Sequence, residues 1–90
     1  MVLQIKERPM TSIHFQAGVR KANKKIDKLQ KKKSSVMAKR LESLQSKAMK
    51  RYYKTIDVEP DDVIDFYKGY YVALSYFLYR GYKFEETMEF

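Results

Sequence analysis

The chain contains no cysteine, which removes disulfides and thiolate zinc sites from consideration. The usual staple of a small secreted protein goes with them. Glycine is scarce, with Gly18, Gly69 and Gly81 only, and no phosphate-cradling glycine-rich loop can be built from residues so far apart. Histidine is represented by His14 alone; with Glu7 as its one nearby acid it has no metal shell and no catalytic partner at a useful spacing. Long apolar runs are also missing. Between Lys68 and Arg80 only 11 residues are uncharged, whereas a membrane-spanning helix needs about 20. The opening MVLQIKERP has no signal-peptide apolar stretch, so an intracellular, soluble protein is expected. Ser34, Ser35, Ser43 and Ser46 lie in lysine-rich sequence with no nucleophile elbow around them. No cofactor is expected, and the pattern points away from an enzyme.

Acidic residues are rare in one part of the chain only. Residues 1–56 hold 16 Lys/Arg against 3 Asp/Glu, and residues 57–90 hold 3 against 8, which together give the net +8. An asymmetry of this kind favours contact with a polyanion, or folding of one half against the other. At 90 residues the chain is expected to form a single helical domain, burying roughly 60–65% of its unfolded surface.

What the chain does have is a strong helical stretch, PDDVIDFYKGYYVALSYFLYRG, from Pro60 to Gly81. At about 100° per residue, Val63, Phe66, Tyr67, Tyr70, Tyr71, Ala73, Leu74, Phe77 and Leu78 share one broad arc. This arc is wider than the roughly 100° stripe a surface helix requires, so other parts of the chain, a second copy or a partner must cover it. Pro60 suits a first helical turn. Asp57, Glu59, Asp61 and Asp62 crowd the end where the helix dipole favours negative charge. Arg80 and Gly81 form a stop signal. The order Asp57-x-Glu59-x-Asp61 resembles the first ligands of a calcium loop, but Asp62 stands where glycine is needed and Lys68 where glutamate is needed. The acids are therefore read as helix-terminus residues, and no metal is expected.

Upstream, Thr11 or Ser12 can cap a helix whose stripe is Phe15, Val19, Ala22, Ile26 and Leu29. The stripe resumes after Lys33 with Met37, Leu41, Leu44, Ala48 and Tyr52. A break near 33–35, at Lys31-Lys32-Lys33-Ser34-Ser35, would give helices at about 13–33, 35–54 and 60–80 and a three-helix bundle. Without it, residues 13–55 would make a rod of about 65 Å, which the third helix could only half cover. The expected class is all-α, as a helical hairpin or a three-helix bundle. The continuous helix is slightly favoured, since neither proline nor glycine marks a break and the helical phase persists. Residues 1–11 read as an extended arm, 12–55 as the basic helical region, 60–80 as the aromatic helix and 82–90 as an acidic-aromatic tail.

On a continuous helix Lys21, Lys25, Lys28, Lys32, Lys39 and Lys50 fall within about 60°, flanked by Lys24 and Lys31. A one-sided lysine ridge suits phosphates and gains affinity from counterion release. Lysine rather than arginine suggests attraction to the backbone over base reading. A solvated face, an answer to the chain's own acids, or an acidic protein or membrane surface are the competing readings. On the far side of the aromatic helix, Val72, Tyr76 and Tyr79 form a second strip beside Asp61 and Asp65, with nothing evident to cover them. Tyrosine is enriched at interaction surfaces, so this strip reads as a protein interface, with self-association possible.

The sequence thus supports a small regulatory or accessory protein engaging DNA or RNA, or a nucleoprotein complex, with little sequence preference. The alternative is a protein-directed inhibitor or adaptor, of the sort mobile elements encode, docking its acidic-aromatic half on a host nucleic-acid enzyme.

Overall fold

A computed structural model of the protein describes residues 12–84. The arm expected at 1–11 and the 85–90 portion of the tail lie outside the described residues. Three helices follow one another: α1 (Ile13–Leu29), α2 (Ser34–Thr55) and α3 (Asp61–Arg80). They form an all-α three-helix bundle in which α3 packs against both α1 and α2, while α1 and α2 touch each other little. No helix among the described residues is long and apolar enough to cross a membrane.

Ser12 begins α1. Its hydroxyl oxygen accepts the Phe15 N–H at 3.1 Å and its O–H donates to Asp65 of α3 at 3.0 Å, so one side chain caps one helix and ties it to another. The expected stripe is buried in full, with Phe15, Val19, Ala22, Ile26 and Leu29 all in the core. Gly18, which costs helical propensity, sits where α1 crosses α3. A methyl group there would come within 2.0 Å of the Phe66 carbonyl oxygen, and one on Gly69 within 2.1 Å of the Phe15 carbonyl oxygen. The two glycines let the backbones meet.

The slightly favoured continuous helix is corrected by the structure. Gln30 N–H still bonds the Ile26 carbonyl at 2.9 Å, but Lys31 and Lys32 turn back onto Lys28 and Leu29, and Lys33 is extended (φ −61, ψ 148) before α2 starts. Ser34 and Ser35 are the first residues inside α2, and no side chain caps its N-terminus. The physical reason lies in the covering helix. With 20 residues, α3 is about 30 Å long, too short to cover a 65 Å rod, and a reversal at the unburied lysines brings both apolar stripes onto it. Leu41 and Ala48 are buried there, with Met37 and Leu44 partly so.

The C-terminal limit of α2 is set by Thr55, buried, with its hydroxyl donating to the Tyr52 carbonyl at 2.7 Å. Pro60 occupies the N-cap of α3 rather than its first turn, and its carbonyl accepts from Val63 and Ile64. Ala73, Leu74 and Phe77 carry the buried centre of α3, and Gly81 ends it in the left-handed conformation (φ 84) with its N–H on the Phe77 carbonyl. The chain then folds back. Phe84 is buried edge-on against Phe15 at 6.1 Å, its carbonyl accepts from Asn23, and Lys83 pairs with Asp27.

Candidate nucleic-acid interface

The reversal after α1 changes which lysines are neighbours. Lys21, Lys25 and Lys28 keep their row along α1, and Lys32 extends it in the turn. Lys39 and Lys50 leave it. On the separate α2 they stand opposite the buried Leu41, facing away from the core, while Arg40, Leu44, Lys47 and Arg51 share one flank at i, i+4, i+7 and i+11. The single ridge expected over 21–50 is therefore two rows on two helices.

Between those rows runs a groove lined by Lys25, Lys28, Leu29, Lys32, Arg40, Ser43, Leu44 and Lys47. Five of the eight carry positive charge and none is acidic. None of the five cations pairs with an acid among the described residues. Leu29 and Leu44 give the groove an apolar base, which lies on the buried stripe of α1 and beside that of α2. Arg40 and Lys47 are the residues that sequence spacing passed over, because the phase carried across residues 30–33 selected Lys39 and Lys50 in their place. Lys24, Lys31 and Lys39 are exposed and do not line the groove.

Two cations of this surface rest on aromatic rings of α3. The Lys21 ammonium stands 5.6 Å from the Phe66 ring centre and 5.4 Å from that of Tyr70, and the Arg51 guanidinium 4.8 Å from that of Tyr67. Such contacts hold a long side chain in place without cancelling its charge. Burial pushes the Tyr70 phenol above its ordinary range. A second hollow, lined by Lys47, Lys50, Arg51, Tyr53 and Lys54, adjoins the groove through Lys47.

The strip expected on α3 is rearranged. Tyr76 is covered in part by the returning chain: Tyr82 stacks on it at 5.5 Å, Phe84 meets it edge-on at 5.2 Å and the Arg80 guanidinium lies 5.6 Å from its centre. The expectation that nothing in the chain could cover it is thus corrected, since Tyr82 and Phe84 fold back where a straight helix would leave a bare face. A hydrogen bond from Tyr76, aided by Arg80, holds the exposed Tyr82 phenol below its ordinary value. Val72 is half-buried against the core, Asp65 is engaged by Ser12, and Asp61 is exposed in the first turn. Of the strip's three apolar and aromatic residues, only Tyr79, at 76% exposure, stands out fully. Val72, Tyr76 and Tyr79 still share one shallow hollow with Tyr71, Ser75 and Arg80.

No protein-family model matches the chain, and no curated protein and no solved structure is significantly similar to it.

Proposed function

We propose that this chain is a small non-enzymatic accessory or regulatory protein that engages nucleic acid, free or in a nucleoprotein complex, through the groove between α1 and α2. The observation that supports this best is five cations from two helices and their turn lining one groove with no acid among them. A solvated basic face gains nothing from concentrating like charges, which repel across a groove; a polyanion reverses the sign of that cost. The groove offers positions for phosphates and little for bases, since only Arg40 among its cations has a bidentate fork. Affinity for nucleic acid then depends steeply on salt and weakly on sequence.

The test is fluorescence anisotropy with labelled oligonucleotides at rising salt. About five phosphate contacts give a slope of log affinity against log salt of about −4 to −5 on duplex. Absence of binding at low salt, or binding indifferent to salt, contradicts the proposal.

The second reading, docking on a protein partner or on another copy through α3, is favoured by the exposure of Tyr79 beside the half-buried Val72. A stoichiometric protein partner retained after nuclease treatment, and lost in Tyr79→Ser, is the result that would favour it.

A further inference from the structure

We propose that the outer end of α2 holds an unpaired base, so that the nucleic acid this surface prefers is single-stranded; this rests on the nucleic-acid reading of the groove. Lys47 lines both the groove and the adjoining hollow, so a phosphate track along the one runs into the other. In the hollow four cations, Lys47, Lys50, Arg51 and Lys54, surround one aromatic residue, Tyr53, and no acid lines it.

Tyr53 is an unusual residue to find there. It is 58% exposed, yet its ring is steadied by Tyr52 at 5.4 Å and Tyr71 at 6.4 Å, which themselves stack at 5.8 Å. A pair of rings on α2 and α3 therefore backs a third that remains largely in water. Arg51 is also held, by Tyr67. An aromatic ring set among phosphate-binding cations is the arrangement that takes successive nucleotides of a single strand, the bases stacking while the backbone follows the charges. In a duplex the bases are already stacked on one another and their faces are closed to a side chain on a helix surface. The ring is thus useful to an unpaired base and idle on a duplex. Cations alone would bind both forms.

Three probes of equal length distinguish the possibilities: a single strand, the corresponding duplex, and a strand of abasic sites with the same phosphates. They are measured by anisotropy against the full 90-residue chain and its Tyr53→Leu and Tyr53→Phe variants, with circular dichroism confirming the fold. The single strand is expected to bind tightest. Tyr53→Leu should weaken it by roughly 5- to 150-fold, the range for losing one stacked base. Duplex and abasic affinities should be unchanged by Tyr53→Leu, as should the salt slope for every probe, and Tyr53→Phe should retain single-strand affinity because it keeps the ring. Equal binding of the single and abasic strands overturns the inference, as does an equal loss on all three probes in Tyr53→Leu. Either result leaves the groove intact as a phosphate site. Failure of all three probes to bind removes the groove reading itself.

Discussion

Gly18 and Gly69 show at the residue scale why α1 and α3 form the tightest pair of the bundle. Each stands where a methyl group would overlap a carbonyl oxygen of the other helix, so the crossing distance is set by the absence of two side chains. Gly18→Ala and Gly69→Ala gain about 1 kcal/mol in helix propensity but force the backbones apart, and overpacking costs typically 1–3 kcal/mol, occasionally more. Because the obstacle is backbone on both sides, the second effect is expected to win. Urea denaturation should show each variant less stable than the parent, by up to about 2 kcal/mol net of the propensity gain; a stabilised variant would mean that the crossing is looser than described.

Tyr52 makes a separate prediction at the same scale. Burial, with Tyr53, Tyr71 and Asp65 nearby, raises its phenol above the ordinary value. The fold therefore prefers the protonated ring. This contribution is fully present below the unfolded pKa of about 10 and is lost as pH rises through the higher folded value. Tyr52→Phe, which cannot ionise, should lose less stability than the parent between about pH 9 and 11, measured by denaturant midpoints. Equal losses would show that the ring is not held in its protonated form by the fold.

Among the elements, α3 was the most legible in sequence, and the reversal before α2 the least. Pro60 and Gly81 punctuate α3 through backbone constraints that act locally, so both ends could be read from the residues themselves. The stripe from Phe15 to Leu29 was readable for a similar reason: helical period and burial coincide. The turn at Gln30–Lys33 carries no such punctuation. Its cause is the length of α3, a property of another element. The groove inherited that error, because Arg40 and Lys47 become neighbours of Lys25 and Lys28 only after the chain reverses. Phe84 was illegible in the same sense, since its partners Phe15 and Asn23 lie more than 60 positions away.

The turn can be tested with one substitution. Lys33 is extended at φ −61 and ψ 148, the conformation proline imposes on its predecessor, and Ser34 holds the first helical position, where proline is favoured. Ser34→Pro should therefore leave stability unchanged or raise it by about 0.4–1 kcal/mol. In a continuous helix the same change costs about 3 kcal/mol or more. A large drop in melting temperature would restore the rod.

At the scale of the whole molecule, the unequal charge of the two ends of the sequence becomes a spatial arrangement. α1 and α2 present basic rows on either side of a groove, while α3 supplies the core beneath them and rings that steady Lys21 and Arg51. Three acids are engaged elsewhere: Asp27 pairs with Lys83, Asp65 accepts from Ser12, and Asp62 accepts the Val63 N–H of its own first turn; Glu42, on α2 itself, does not line the groove. The bundle thus buries its apolar faces without closing its positive one.

The measurement that tests this account most directly compares two variants with equal loss of charge. One carries Lys25, Lys28, Arg40 and Lys47 changed to Gln, all lining the groove; the other carries Lys24, Lys31, Lys33 and Lys39 changed to Gln, all exposed and none lining it. Each is titrated with the same oligonucleotide duplex over a range of salt. At about 0.9 per phosphate contact, the groove variant should lose roughly three to four from the magnitude of the slope of log affinity against log salt. The control variant should keep most of it. Equal flattening in the two variants would mean that net charge alone governs binding, and that the groove between α1 and α2 is not the site.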